Sequence, residues 1–281
     1  MDNVYLGFKA FDIHELLTHF VAQTAGYYQQ QSLDVSLLDT TFIPDEQLPS
    51  NTFHAACGAA LLNYVSGKPY KVVLVNTDYP MFWLYSRSGT TELSALANAR
   101  IASYPGLAPP AHFLAAITTG MDVTLLPVSS DIARLGLLKN GEVDAALISS
   151  AFPPAVMAEW GFHNPLLIGK MLRVPTTGLA IDAQFQIENP DLIQRMVNAH
   201  QQSLNSIHHD DDLLETILTK NFSLPASTAN ETIKLIRSLF TQDGRSTPKI
   251  EQQAISAVAE KLNSQNLPSS ALYDYSLLGS H

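Results

Sequence analysis

Val4-Tyr5-Leu6-Gly7-Phe8, Lys9-Ala10-Phe11-Asp12, Ile13 to Ala25 and Leu33-Asp34-Val35-Ser36-Leu37-Leu38 are the segments whose reading decides the fold. The first is an apolar run of strand length. Ile13, Leu16, Leu17, Phe20, Val21 and Ala25 then recur at i, i+3, i+4 and i+7, the spacing of one buried helical face. Asp12 stands where an N-cap belongs, and Glu15 three residues on completes the pattern of a capping box. Gly26-Tyr27-Tyr28 turns the chain, and Leu33 to Leu38 returns as a second strand. Strand, helix and parallel strand within about thirty residues form a βαβ unit, with the right-handed crossover such units take. Ligands of such sheets gather where strand carboxyl ends meet helix amino ends. Lys9 to His14 is therefore expected to form the first wall of a site.

Outward from this unit the same plan repeats. Phe53 to Leu62 reads as a short strand running into a small-residue helix that ends at Gly67-Lys68-Pro69, a glycine C′ followed by proline. Lys71 to Asn76 is a central strand. Met81 to Arg87 is extended and aromatic, a strand leaving the first lobe. Thr91 to Asn98 is expected to be helical. Arg100 to Ser103 is a strand feeding the loop Tyr104 to Pro110, and a helix covers Ala111 to Thr119. Val123 to Val128, Asp131 to Lys139 and Gly141 to Ile148 continue as strand, helix, turn and strand. Ser149 to Pro153 enters another helix. Leu166-Leu167-Ile168 and Thr176 to Ile181 bring the chain back, and Leu192 to about Asn263 reads as amphipathic helices. The tail after Gln265 has no periodicity and is expected to lie on the surface or strap the first lobe. Ala55-Ala56 and Ala145-Ala146, about ninety residues apart, each lead into a small-residue turn and helix. Two lobes of one plan account for this better than a solenoid, whose repeats run to roughly 20–50 residues. The expected boundaries are discontinuous: lobe one 1–86 plus 183–281, lobe two 87–182.

The chain has 281 residues, 46% apolar and 15% charged, with a formal net charge of −10. That is a globular composition of two-lobe length. The acidic balance argues against non-specific nucleic-acid binding, which needs a basic footprint. A single cysteine, Cys57, rules out an intramolecular disulfide. No apolar run reaches membrane-spanning length. Met1-Asp2-Asn3 leads straight into a strand, with no basic n-region, h-region or cleavage site. The expectation is periplasmic residence if a leader was removed before Met1, and cytoplasmic residence otherwise.

Four segments, taken together, resemble the type II periplasmic-binding-protein superfamily. The branch is that of the nitrate/sulfonate/taurine-binding proteins and the related thiamine-pyrimidine synthases. Val21 to Tyr28 followed by Leu33-Asp34-Val35 is like the family's Ala-x-x-x-Gly-Tyr-Phe … Gly-Leu-x-Val. The Ala-rich strand and helix ending at Gly67-Lys68-Pro69 is the second match. Leu96 to Ala102 is a degenerate Asp-Leu-x-Gly-Lys-x-Ile-Ala, and Leu137 to Leu147 is like Ala-Leu-x-x-Gly-x-Val-Asp-Ala-Ala. Ser32 and Asn98 stand where the family has glycine, and His54 where it has aspartate. The resemblance spans roughly residues 3–240. It implies an α/β fold of two lobes, each a mixed sheet with helices on both faces, joined by two extended segments. It also implies capture of a small organic ligand, such as a sulfonate, a nitrate-like anion or a thiamine-precursor pyrimidine. The implied partner is the permease of an ATP-driven ABC importer. A cytoplasmic enzyme of thiamine-pyrimidine biosynthesis and a ligand-sensing module are the alternatives.

On this resemblance the ligand residues come from strand-to-helix loops. In lobe one they are Lys9, Phe11, Asp12, His14, Cys57 and Gly58. The crossing segment supplies Asp78, Tyr79, Phe82 and Trp83. Lobe two supplies Tyr104, Pro105, Gly106, Ser149, Ser150 and Phe152, and the returning strand Thr176 and Thr177. Small residues ahead of a helix let backbone amides approach a ligand, and aromatics would hold its flat or apolar part. Each has a plainer reading: Asp12 as a helix cap, His14 as a solvated first-turn residue, Cys57 as a small buried hydrophobe, and Tyr79, Phe82 and Trp83 as core. No catalytic residue, metal or cofactor is expected. His208-His209-Asp210-Asp211-Asp212 points in diverging directions and reads as a helix junction. Ser149-Ser150 lacks a nucleophile elbow, and no Walker-type glycine loop is present. A pyridoxal-phosphate Schiff base needs a lysine where this chain aligns Ala55 and Ala59 with the synthases' lysine and histidine.

Overall fold

The structure is a computed structural model that describes residues 1–106 and 108–279. In chain order its first elements are β1 (Asp2–Phe8), α1 (Ile13–Thr24), α2 (Tyr27–Gln30), β2 (Leu33–Asp39), β3 (Thr52–His54), α3 (Cys57–Val65) and β4 (Tyr70–Thr77). There follow β5 (Trp83–Ser86), β6 (Arg100–Ser103), α4 (Pro109–Ile117), β7 (Thr124–Pro127), α5 (Asp131–Asn140) and β8 (Ala145–Ile148). The middle of the chain ends with α6 (Pro154–Glu159), β9 (Leu166–Leu167), α7 (Ile168–Met171) and β10 (Thr177–Asp182). Helices complete it: α8 (Ala183–Glu188), α9 (Pro190–His209), α10 (Asp211–Lys220), α11 (Ala226–Leu239), α12 (Pro248–Lys261) and α13 (Ser269–Leu272).

These elements form two compact units. The first comprises Met1–Asp78, Val174–Ser223 and Ile233–His281, and the second Tyr79–Arg173 and Leu224–Thr232. Its five-stranded sheet runs β2-β1-β3-β10-β4, with only β10 antiparallel. The second sheet runs β7-β6-β8-β5-β9, with only β5 antiparallel. The expected break after residue 86 falls eight residues earlier here, because Trp83–Ser86 pairs with β8 and β9 instead of extending the first sheet. The expected return at 183 likewise falls at Val174, because β10 is a first-sheet strand throughout.

In the first unit, β1, α1 and β2 form the parallel βαβ unit read from the sequence, in register from Asp2 with Leu33 to Phe8 with Asp39. Helix α1 departs from a simple amphipathic reading, since every residue from Ile13 to Ala22 is buried. Helices α9 and α10 cover its outer face, so its polar side chains must find partners inside. Thr18 accepts from Asn76 Nδ2 at 2.9 Å, and the ring of His19 lies 3.1 Å from the Tyr28 hydroxyl, which also meets His200 Nε2 at 3.0 Å. The tail straps the sheet. Tyr273 bridges to Val72 of edge strand β4, the Asp274 amide donates to the Val72 carbonyl at 2.9 Å, and Leu272, Tyr273 and Leu278 are buried. Asp210, within the acidic-histidine run, caps α10 by accepting from the Leu213 amide at 3.0 Å.

In the second unit, Phe82, Leu84, Ile101, Leu114, Ala145, Leu147 and Ile168 form one core between the sheet and α4. Ser130 caps α5 through the Ala133 amide at 3.2 Å, and Gly141 ends it with φ +75°. The helix expected over Thr91 to Asn98 is only a single 3₁₀ turn, Leu93–Leu96. Asn98 takes φ +63°, which ends any helix there. The expected strand Leu166 to Ile168 is two residues long, with Ile168 opening α7. Leu107, in the loop expected after β6, lies outside the described residues.

Candidate functional site

The carboxyl ends of β1, β3 and β4 and the start of β10 lie along one edge of the first sheet. Asp12 is 1% exposed and caps α1, accepting from the Glu15 amide at 3.0 Å. The reciprocal bond of a capping box goes elsewhere, because Glu15 Oε2 accepts from the Lys9 amide at 2.7 Å. That bond folds the β1–α1 loop over a buried carboxyl. Burial raises the Glu15 carboxyl to about 7, against the Lys9 and Ala10 amides and the Lys9 ammonium that hold it down. The Lys9 ammonium donates to the Thr40 carbonyl. Phe11 is 52% exposed and packs edge-on to Phe8 and at a tilt to Phe20 and Phe222.

His14 is buried, not solvated, with Nε2 2.7 Å from Thr176 Oγ1. Burial pushes its imidazole down to about 3, so it is neutral at pH 7. The Gly58 amide, in the first turn of α3, donates to the Thr176 carbonyl at 3.1 Å. Cys57 beside it is completely buried, and burial pushes its thiol up. A thiol in that state is a packing group, not a nucleophile. Asp78 accepts from Ser246 Oγ at 2.8 Å, and its carbonyl accepts from the Val174 amide at 2.9 Å. Thr177 is buried, and among the described residues its hydroxyl has no hydrogen-bond partner. Lys9, Phe11, Asp12, His14, Cys57, Gly58, Asp78, Thr176 and Thr177 thus share one strand-end edge of one unit.

The second unit has an equivalent edge at the carboxyl ends of β6, β7 and β8 and the start of β5. The Tyr104 hydroxyl donates to Asp131 Oδ1 at 3.3 Å, and its ring stands 5.6 Å from that of Phe82. Pro105 and Gly106 are exposed in the same loop. Ser149 donates through Oγ to Asp131 Oδ2 at 2.6 Å and through its amide to Oδ1 at 3.1 Å. Ser150 is fully buried, and Phe152 is half-buried against Trp160, with ring centroids 5.6 Å apart. Tyr79 lies under the Arg173 guanidinium, 3.5 Å from its ring centroid. Trp83 is 2% exposed inside β5. It therefore presents no open pocket wall in this structure, because it is almost wholly buried. Tyr79, Phe82, Tyr104, Pro105, Gly106, Ser149, Ser150 and Phe152 are brought to this edge.

Sequence reading missed Asp131 and Arg134, which organise it. Arg134 has no exposed surface, and its guanidinium donates to the carbonyls of Leu147 (2.7 Å) and Val128 (2.6 Å) and to Asp131 Oδ1 (2.5 Å). It also lies 3.6 Å from the Tyr104 ring centroid. The signal was available. Asp131, Arg134, Leu135 and Leu138 follow the i, i+3, i+4, i+7 rhythm, which puts a charged residue on the buried stripe. A buried guanidinium requires partners.

Among the described residues no helix is long and apolar enough to cross a membrane. No family model matches the chain, and no curated protein matches it by sequence. Solved structures do match. The periplasmic aliphatic sulphonate-binding protein SsuA from Escherichia coli superposes with a TM-score of 0.74 at 12% identity, over 100% of this chain and 95% of its own. The periplasmic nitrate-binding protein NrtA from Synechocystis PCC 6803 gives 0.69 at 13% identity, over 98% and 86%. The desulfurization enzyme DSZB gives 0.68 at 14% identity, over 95% of each chain. The resemblance read from four sequence segments therefore extends to the whole chain, which carries the two-lobed α/β fold of the periplasmic sulfonate- and nitrate-binding proteins.

Proposed function

We propose that this chain is a solute-binding protein that captures a small organic molecule through its strand-end edges and delivers it to the permease of an ABC importer on the periplasmic side of the membrane. The observation that carries the reading is the placement of polar and aromatic groups. In each unit they collect at the sheet edge where strands end and helices begin, the position at which open α/β sheets hold ligands. A fold matched over nearly its full length by periplasmic binding proteins supports the same reading. DSZB carries enzymatic chemistry on a similar fold. Cys57, with its buried thiol, gives that reading no nucleophile here.

The test is native mass spectrometry of the purified chain for a carried ligand, followed by a thermal-shift screen. The screen covers alkanesulfonates, nitrate, amines, amino acids and pyrimidines. A ligand present at saturating concentration, 100 times its Kd, adds about 2.7 kcal/mol to stability, a shift of several degrees. A Phe11→Ala or Tyr79→Ala variant is expected to reduce that shift. No carried ligand and no shift across the screen would remove the solute-binding reading.

A further inference from the structure

Resting on the solute-binding reading, we infer that the corner of the second unit where Tyr104, Asp131 and Ser149 meet selects a ligand group that donates hydrogen bonds, a protonated amine or amidine, and rejects sulfonate and nitrate oxyanions.

A serine hydroxyl has one hydrogen and two acceptor positions. The Ser149 hydrogen goes to Asp131 Oδ2 at 2.6 Å, and one acceptor position takes the Ala151 amide at 3.2 Å. What Ser149 has left is a lone pair. The Tyr104 hydroxyl hydrogen is likewise directed to Asp131, at 3.3 Å. The cation of the corner is turned inward. The Arg134 side chain is 0% exposed, with Nε, Nη1 and Nη2 each donating to a protein acceptor. Its counter-ion is not so hidden, because the Asp131 side chain is 16% exposed. An arriving solute therefore meets the Asp131 carboxylate, braced by the buried Ser149, while the balancing positive charge lies behind it.

The flanking helices deepen this bias. Helix amino ends ordinarily offer orphan amides to an anion. Here α4 opens on Pro109-Pro110, and Pro153 and Pro154 hold the cap and first position of α6. Proline has no amide hydrogen to give. The Ala111 and Val156 amides behind them bond back to the Ala108 and Pro153 carbonyls. The Ala133 amide of α5 is taken by the Ser130 side chain. Lys170 and Arg173 follow β9, which is separated from β8 by β5. The Arg173 guanidinium is engaged by the Tyr79 ring, 3.5 Å from its centroid.

The experiment is isothermal titration and thermal shift of the full chain with benzylamine and benzamidine against benzenesulfonate and nitrate, probes chosen to vary the head group. The expected result is binding of the amine or amidine and none of the two oxyanions. Asp131→Asn should weaken amine binding at least ten-fold and admit benzenesulfonate. If that variant fails to fold, Pro109→Ala restores one first-turn amide of the nine-residue α4 without touching Arg134 and should also gain sulfonate binding. Benzenesulfonate or nitrate binding as tightly as the amines would overturn the inference while leaving the solute-binding reading intact. Binding of neither class overturns it as well, and the broader reading falls only if the wider ligand screen is also blank.

Discussion

Two residues with opposite backbone demands show how closely local geometry is set. Ser32 holds φ +55° in the turn before β2, a left-handed conformation that costs a side-chain-bearing residue roughly 1–2 kcal/mol. Its backbone contacts, the Asp2 amide on its carbonyl and its own amide on the Gln29 carbonyl, need no side chain. Ser32→Gly should therefore stabilise the chain by about 0.5–1 kcal/mol, read as a higher urea midpoint with an unchanged slope. Gly178 is the reverse case. A Cβ there would stand 1.9 Å from the Leu74 carbonyl oxygen, at the irregularity where β10 pairs with β4. Gly178→Ala should destabilise by at least about 3 kcal/mol, and a variant as stable as the parent would mean the strands do not meet this closely. Ser32 and Asn98 were readable as turn positions because the family places glycine there, and both indeed take positive φ. Gly178 was not readable, since its constraint comes from a strand about a hundred residues away in sequence.

At the scale of elements, what the sequence announced and what it hid follow one physical line. The first βαβ unit was legible because its strands are apolar, its helix is periodic and its cap is local. The loop residues of the site followed from that plan. The Asp131–Arg134 network was hidden because its meaning depends on Tyr104 and Ser149, brought together only by the sheet. Which of its two expected places the tail takes, surface or strap, was hidden for a related reason. Residues 265–279 have no period of their own and are held by Val72, Lys71 and Arg245 of the first unit. Ending the chain at Ser264 should remove the burial of Leu272, Tyr273 and Leu278, each worth roughly 1.5–3 kcal/mol. It should also uncover the outer edge of β4. The expected signs are faster amide exchange at Val72, where the tail pairs with β4, and a tendency to self-associate. Unchanged exchange there would show that the tail is not a strap.

At the scale of the whole molecule, three buried histidines and the half-buried His54 set how stability responds to acid. Burial lowers His14 and His200 to about 3 and His19 and His54 to about 4, all from an ordinary 6.5. Below 6.5 the unfolded chain binds protons that the folded chain refuses, so their contribution is complete above 6.5 and lost as pH falls toward 3–4. Each histidine gives up to about 1.4 kcal/mol per pH unit across that window. Glu15 acts in the opposite sense. Its carboxyl is raised to about 7, so its contribution is present below about 4.5 and lost as pH rises through 7. Four groups outweigh one, and urea midpoints should drop steeply between pH 6.5 and 5. His200→Gln should flatten that drop, and a level profile in the parent would contradict the burial of these rings.

The position of β10 has a further consequence, for biosynthesis. This strand sits between β3 and β4, yet it leaves the ribosome about a hundred residues after them. Until residue 182 has been translated, β3 and β4 have an empty lane between them, and the strap that seals β4 emerges last of all. The second sheet needs only residues 83–167. A nascent chain stalled with residue 175 just clear of the ribosome would therefore hold a finished second sheet and an unfinished first one. Such a stalled product should resist protease across its second half while being cut readily near its amino end.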